Sequence, residues 1–497
     1  MKLWLILVIL SPITYLVVDR SVRHKTTTPV WLCWLVVMLP SYIWTFWTYI
    51  FGEEQPLPLP VFLFPLIICA FLYGWLVQRG RPEKTSAANT KSTDNRPLAM
   101  AKTAAESTSQ PCPINNQEET TLRNCFPWNV YYLQNIDYRP QAIFCRGKLK
   151  TIPEKAYQEI KDNIEQAFGD RFFLIFQESF RGKPFFALVP NPQAKEANKE
   201  NTKDLRIGFA VVMFAITLLT TSIAGVTIDG TSLEDIPANP ALLLKGLSYS
   251  LPLLLIIAAQ KFSHYFVSLY YKVRTTLPYF IPFPFLLDNF AVGTLGALSQ
   301  RKSPIPHRKA LFDIAIVGSI SGLIVIVPIL LWGLSASEVV PLEDTSTFNL
   351  QAQDPRLSLF LSVLAKLALG SALTADMGIQ LHPIAVAGCV GLFIAAINLM
   401  PIGQLDGGHI VHAVFGQKMA IAVGQIARIL TLFFALVHPY FWVWAVIMWL
   451  IPLIDQPALN DVTELDNGRD ALGLFALALL VVMILPLPEA IGNLLGI

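Results

Sequence analysis

Long apolar stretches separated by short polar connectors dominate the chain, and a bilayer crossing takes about 20 apolar residues. Three stretches of this kind open it: Leu3–Val18, Val30–Phe51 and Leu59–Val77. A second apolar block begins at Leu205 and predicts spans at Leu205–Ile228, Gly246–Tyr271, Ile314–Leu334, Leu357–Leu373, Ile384–Met400, Ala420–Val437, Phe441–Leu453 and Leu472–Leu485. The expected fold is a polytopic α-helical membrane protein of about eleven transmembrane helices, with a small soluble α+β domain between two membrane blocks.

Between the blocks, residues 80–120 are rich in Ser, Thr, Asn, Ala and Lys without apolar periodicity and read as a flexible linker. Residues 121–195 change character. Val130–Tyr132 and Ala142–Cys145 predict strands, and Pro153-Glu154 opens a helix that Gly169 stops after Phe168. Arg171–Phe176 and Pro184–Val189 then predict two strands around a turn at Arg181-Gly182-Lys183. A module of about 70 residues has a marginal core unless it packs on something else. It carries no catalytic signature and reads as an interaction or regulatory module. The division is therefore 1–79 (three membrane helices), 80–120 (linker), 121–195 (α+β module) and 205–490 (second membrane domain).

Composition agrees with lipid as the principal solvent. Apolar residues make up 54% of the 497 and charged residues 14%, against roughly 25% charged in soluble domains; mean hydropathy is +0.51. A soluble globular protein, a disordered chain and a nucleic-acid partner are excluded, the last because a polyelectrolyte needs clustered Lys and Arg. Net charge is +2, from 37 basic and 35 acidic residues. Its distribution orients the chain. Arg20, Arg23 and Lys25 follow the first span, Glu53 and Glu54 the second, and Arg79, Arg81 and Lys84 the third. The positive-inside rule puts the amino terminus outside and the stretch after Val77 on the cytoplasmic or stromal-like side. The 272–309 loop, with Lys272, Arg274, Arg301, Lys302, Arg308 and Lys309, shares that side, and the acidic 335–355 loop faces away. No small-residue cleavage site follows Leu3–Val18, which reads as a retained helix. Cys33, Cys69, Cys112, Cys125, Cys145 and Cys389 form no CxxC pair, and a Cys125–Cys145 disulfide is not supported by their spacing.

Ionisable groups at membrane depth face a protein interior and mark function. Two clusters qualify. Gln260, Lys261, Ser263 and His264 interrupt the Gly246–Tyr271 span about 20–27 Å along its length of about 39 Å. Gln260 and His264, at i and i+4, share a helix face. Read as structure only, this is a helix end where Lys261 snorkels and His264 is hydrogen-bonded in a core. The second cluster runs from Asn398 to His409. Pro401 breaks the preceding helix, Asn398 is placed to bond freed carbonyls, and Gly407 and Gly408 permit close backbone approach. A structural break accounts for the proline and glycines but leaves the Asp406 carboxylate unexplained.

Asn398, Pro401 and Leu405-Asp406-Gly407-Gly408 resemble the NxxPxxxLDGG motif of site-2 proteases, the intramembrane zinc metalloproteases. Four further segments are similar to the chloroplast and cyanobacterial branch called "ethylene-dependent gravitropism-deficient and yellow-green". They are Pro278-Tyr279-Phe280-Ile281-Pro282, Gly293-Thr294-Leu295-Gly296-Ala297, Ser303-Pro304-Ile305-Pro306 with Asp313-Ile314, and Leu459-Asn460-Asp461-Val462-Thr463-Glu464. The resemblance covers residues 122–490. It implies a zinc cofactor held by two histidines of an HExxH helix and the aspartate of the second motif, with the glutamate as general base.

Here the aligned five residues are Gln260-Lys261-Phe262-Ser263-His264. His264 and Asp406 remain as the family's ligand positions, Gln260 stands in the third, and Lys261 stands at the general-base position. A neutral amide is a poor zinc ligand, and an ammonium cannot take a proton from water and repels a dication. No catalytic residue is assigned. The least implausible rescue set is His264, Asp406 and His409; His412 and His382 are further candidates, and His307 reads as a surface group. An ion pair of Lys261 with Asp406 is expected in place of the metal. In the family the Leu277–Ser299 region is a re-entrant β-hairpin able to pair with an extended substrate; read alone, it is a loop closing the bundle.

The favoured reading is a catalytically inactive homologue that binds or regulates transmembrane clients. The alternative is an active intramembrane zinc metalloendopeptidase with an unusual ligand set, and a weaker third is a transporter, for which no inverted repeat is found. Partners are membrane lipid and a transmembrane protein client, with no nucleic acid. The resemblance points to a cyanobacterial plasma or thylakoid membrane. The lack of a Ser/Arg-rich, acid-poor transit segment before Leu3 favours a bacterial cell over an imported plastid protein.

Overall fold

A computed structural model describes residues 14, 29–51, 65, 69, 72, 73, 76, 116–139, 142–179, 182–191, 203–231, 239–283, 292–341, 352–375, 377–437 and 442–497. The chain divides into two compact units, 1–105 and 106–497. In the first, helix α1 spans Val30–Phe51 as expected, and Cys33 is buried beside Trp34, Tyr73 and Leu76. Of the expected spans Leu3–Val18 and Leu59–Val77 only scattered residues are described, and residues 80–115 of the expected 80–120 linker lie outside the described residues.

The second unit opens with helix α2 (Asn116–Asn124), which starts inside the expected linker and carries Leu122 into a core. Strands β1 (Tyr131–Arg139), β2 (Ala142–Leu149), β3 (Phe172–Glu178) and β4 (Pro184–Pro190) form an antiparallel sheet in the order β1-β2-β4-β3. Helix α3 (Pro153–Phe168) covers one face with Ala156, Tyr157, Ile160 and Ile164, spaced to share a stripe. Proline at its first turn supplies a preset φ, and Gly169, at φ 57°, ends it by donating to the Glu165 carbonyl. Against α3 lie Tyr131, Ile143, Leu188, Phe176 and Phe186, the last two stacked at 4.2 Å. Cys125 and Cys145 are both free, and burial pushes the Cys145 thiol up to about 12.

This module does not stand alone. Phe176 N–H donates to Leu459 O at 2.6 Å, and Asp461 N–H donates to Phe176 O at 2.9 Å. Leu459 and Asn460 in turn donate to Ile305 O (2.8 Å) and Pro306 O (3.0 Å). A short parallel ribbon therefore joins β3 to two loops of the following domain, and the partly buried Leu459 and Val462 pack against the module's core.

The rest is helical. Six helices of the described residues are long and apolar enough to cross a membrane. One is α1. The others are α4 (Lys203–Ile228), α5 (Leu242–Tyr270), α6 (Arg308–Ser335), α10 (Gln417–Val437) and α12 (Asn467–Ile484). Helix α8 (Pro383–Leu399) and helix α9 (Asp406–Phe415) are separated by the break at 400–405. Two further expected spans are described as shorter helices. Helix α7 (Leu359–Leu369) holds 11 residues, about 16 Å, and helix α11 is described over Trp442–Leu450. Strands β5 (Tyr279–Pro282) and β6 (Thr294–Leu298) form a hairpin, and β7 (Glu338–Pro341), β8 (Ala352–Gln353) and β9 (Met377–Gln380) a small sheet in the order β7-β9-β8. Helix α13 (Glu489–Leu495) completes the described chain. On the module side, Arg469 of α12 grips Asp313 of α6 through two contacts of 2.8 and 2.9 Å, and the Tyr271 hydroxyl donates to the same carboxylate.

Candidate functional site

The site lies where α5, α6 and α9 meet. Gly318 and Gly322, four residues apart on α6, face His264 and Gln260, four residues apart on α5. A Cβ at Gly318 would fall 1.6 Å from His264 Nε2, and one at Gly322 would lie 3.7 Å from Gln260 Cβ. Small residues at this spacing let two membrane helices approach backbone to backbone. Only glycine at 318 leaves room for the imidazole.

Asp406 is the first residue of α9 and 8% exposed. The chain reaches it through a tight path. A Cβ at Gly407 would meet Leu399 O at 1.8 Å, and one at Gly408 would meet Gly403 O at 2.3 Å. Within the break, Ile402 N–H donates to Met400 O and Leu405 N–H to Ile402 O. Half-buried Asn398 makes no side-chain hydrogen bond among the described residues, so these turn bonds do the work expected of its amide. Placing the carboxylate at a helix amino terminus sets it against the positive end of the helix dipole.

Two side chains meet Asp406. Ser319 Oγ donates to Oδ2 at 3.1 Å, and His264 Nε2 lies 3.3 Å from the same oxygen. The imidazole is off hydrogen-bond alignment, and the Gln260 amide nitrogen is likewise buried without a hydrogen bond. Of the expected Lys261–Asp406 pair, the nearest contacts of the carboxylate are instead Ser319 and His264. On a helix each residue turns about 100°, so the backbone at Lys261 lies off the face that carries Gln260 and His264 toward α6.

These residues do not fit a zinc centre. Catalytic zinc takes three protein ligands, and His264 and Asp406 are two. The described residues hold no group of three His, Cys, Asp or Glu side chains placed to bind a metal ion. Gln260 presents a neutral amide at the third position, and Lys261 adds a cation next to it in the chain.

The candidate rescue histidines are all otherwise engaged. His409 Nε2 lies 3.1 Å from Arg301 Nη2 and Nδ1 lies 2.6 Å from Asp455 Oδ2. A guanidinium only donates, so Nε2 accepts and the Nδ1 proton goes to Asp455. His412 is fully buried between Asp455 Oδ2 (3.3 Å) and Asp461 Oδ1 (3.0 Å). With a carboxylate at each nitrogen it donates from both. Burial, which would raise the Asp455 carboxyl, is outweighed by its bonds to His409 and His412, which hold it below the usual range. His382 caps α8 by accepting from Ile384 N–H. His307, expected at the surface, is instead the half-buried cap of α6 and accepts from Ala310 N–H at 3.0 Å.

Ser319 and Asp455 were not singled out from sequence, and Arg301 and Arg308 were read there only as charges that orient the chain. Arg308 is buried and donates to Ala413 O (2.9 Å) and Val414 O (3.2 Å), capping the carboxyl end of α9. A sequence signal existed for one part: Gly318-Ser319-Ile320-Ser321-Gly322 is a small-residue repeat at membrane helix-contact spacing.

Strands β5 and β6 pair antiparallel, with Tyr279 opposite Leu298 and Phe280 opposite Ala297, and an irregularity before Pro282. Phe209 and Phe214 of α4 pack edge-on to Tyr279 and Phe280. Thr220 Oγ1 and the Tyr249 hydroxyl donate to Gly293 O (2.7 Å) and Val292 O (2.9 Å). The hairpin is thus bound to the helices, while Leu295 and Leu298 are each 65% exposed.

Residues 248–438 match the family described as Peptidase family M50. The chain is 25% identical over 370 residues to the "Probable zinc metalloprotease EGY2, chloroplastic" of Oryza sativa subsp. indica, covering 73% of this chain and 65% of the relative. Its Arabidopsis thaliana counterpart is 26% identical over 373 residues, covering 74% and 64%. The "Probable zinc metalloprotease EGY1, chloroplastic" of Arabidopsis thaliana is 30% identical over 270 residues, covering 52% and 47%. The chain therefore spans less than two thirds of the length of these relatives. No solved structure matches.

Proposed function

We propose that this chain, which matches peptidase family M50 over residues 248–438 and is similar to probable zinc metalloproteases, binds or regulates transmembrane clients without cleaving them. The observation that carries this reading is the donor set. His264 and Asp406 face each other, and the general-base and third-ligand positions hold Lys261 and Gln260. Two ligands with an adjacent cation do not hold an open catalytic zinc. The anchored β5–β6 hairpin, with Leu295 and Leu298 outward, supports client capture by strand addition. In this reading the three-helix amino-terminal block and the 205–490 domain carry about eleven transmembrane helices in all. The α+β module is its regulatory part, and the host membrane is a cyanobacterial plasma or thylakoid membrane.

Metal analysis of the purified full chain tests the reading. We expect no stoichiometric zinc, and zinc near one per chain in the Gln260→His, Lys261→Glu double variant. Stoichiometric zinc in the unmodified protein that is lost on Asp406→Ala, together with cleavage of a transmembrane substrate, would establish an active metalloendopeptidase instead.

A further inference from the structure

The strand register of the α+β module fixes which of its ends faces the membrane domain. Tyr131 pairs with Leu149, Arg146 with Phe185, and Glu178 with Pro184. The start of β1, the end of β2, the start of β4 and the end of β3 therefore lie at one end of the sheet. At that end Lys418 Nζ, in the first turn of α10, donates to Ser179 O at 2.8 Å. Glu154, in the first turn of α3, lies 3.7 Å from Lys309 Nζ in the first turn of α6. Both α6 and α10 are long and apolar enough to cross the bilayer. This end of the sheet is therefore level with the points where two helices enter the membrane.

The strand joined to the membrane domain is β3, at one edge. Strand β1 is at the other, three spacings of about 4.8 Å away, or about 14 Å. The β1 corner of this sheet end is therefore at the same level, displaced sideways from the ribbon. There the surface is unlike that of a soluble module. Trp128 is 74% exposed, Ile152 70% and Tyr132 51%. Lys150 Nζ sits over both rings, 5.3 Å from Trp128 and 5.6 Å from Tyr132. Lys148 and Lys155 are exposed alongside.

We infer that Trp128, Tyr132 and Ile152, with the lysines around them, form an interfacial anchor that seats in the headgroup–acyl boundary of the same bilayer. Tryptophan and tyrosine favour that zone because their rings have one apolar and one polar end. The lysine stems lie along the apolar surface while their ammonium groups reach phosphate. The module is thereby held at two edges, by the protein ribbon at β3 and by lipid at β1.

The test uses the full chain reconstituted in vesicles of zwitterionic and anionic phospholipid. The chain has 11 tryptophans, so the reporter is the emission of the unmodified protein minus that of Trp128→Phe, a surface change that leaves the core intact. The expected difference emission is blue-shifted, quenched by lipid brominated near the carbonyl end of its acyl chains, and protected from aqueous iodide. In the Ile152→Ser, Tyr132→Ser variant this lipid quenching falls several-fold while the thermal midpoint in detergent stays unchanged. Difference emission quenched by iodide and untouched by brominated lipid overturns the inference. Emission shielded from both quenchers, and sensitive to protein density in the vesicle, also overturns it and assigns the patch to a protein partner.

Discussion

At the level of single residues, the site is governed by what Gly318 leaves out. A methyl group there would sit 1.6 Å from His264 Nε2. Gly318→Ala should expel the imidazole from Asp406 and cost about 1–3 kcal/mol, the usual penalty of overpacking. A fall in thermal midpoint, accompanied by a His264 ring that no longer senses Asp406→Asn in NMR, is the outcome to look for. Lys261 makes the opposite case. Were it paired with Asp406, removing it would strand a buried carboxylate at about 3–5 kcal/mol. Because the carboxylate is held by Ser319, by His264 and by the start of α9, Lys261→Met should cost less than about 1 kcal/mol. Denaturation of the two proteins side by side separates these values. That contrast also marks how far the site was readable. The residue types at 260, 261, 264 and 406 announce themselves in the chain, whereas the choice of partner depends on helix azimuth, which one sequence does not carry.

At the level of elements, α9 is held at both ends by other helices. Its first residue meets α5 and α6 through Asp406, and its last carbonyls accept from Arg308. Arg308→Ala removes two hydrogen bonds from a charged donor and leaves buried carbonyls without partners, a loss of about 2–3 kcal/mol. Arg308→Lys should recover only part of it, since an ammonium lacks the planar fork that reaches both oxygens. Thermal midpoints of the three proteins in one detergent give the ranking. Elements whose limits are set by local chemistry were legible in advance: α3 runs between Pro153 and Gly169 as expected, and α1 covers Val30–Phe51. Elements whose limits are set by packing were not. Leu357–Leu373 is apolar enough for a span, yet its α-helix covers Leu359–Leu369 only, because apolarity reports depth and not direction. The helix Asn116–Asn124 was missed for the converse reason: it is polar, and it is recruited by the burial of Leu122.

At the level of the whole second unit, the Leu459–Asp461 segment carries two connections at once. Its backbone extends the β3 edge of the module, and the Asp461 side chain ends the chain of contacts that runs through His412, Asp455 and His409 to Arg301. Asp461→Pro deletes both the N–H that reaches Phe176 and the carboxylate that meets His412. Hydrogen exchange should then rise along β3 and at His412 while β2 and β4, inside the sheet, keep their protection; equal deprotection of all four strands would mean the module depends on docking for its fold. The marginal core expected of so small a module fits this arrangement, because its Phe176 edge is completed only by residues from the far end of the chain.

That last point has a consequence in time. Roughly 280 residues separate Phe176 from Leu459, and at synthesis rates of about 5–20 residues per second the β3 edge waits roughly 15–60 s for its partner. An open strand edge over that interval is a template for wrong pairing. The nascent module therefore passes through a stage in which a β3 edge still missing its native neighbour competes with any other strand within reach. The interval between making β3 and making its partner is then the stage at which this chain is most open to wrong pairing.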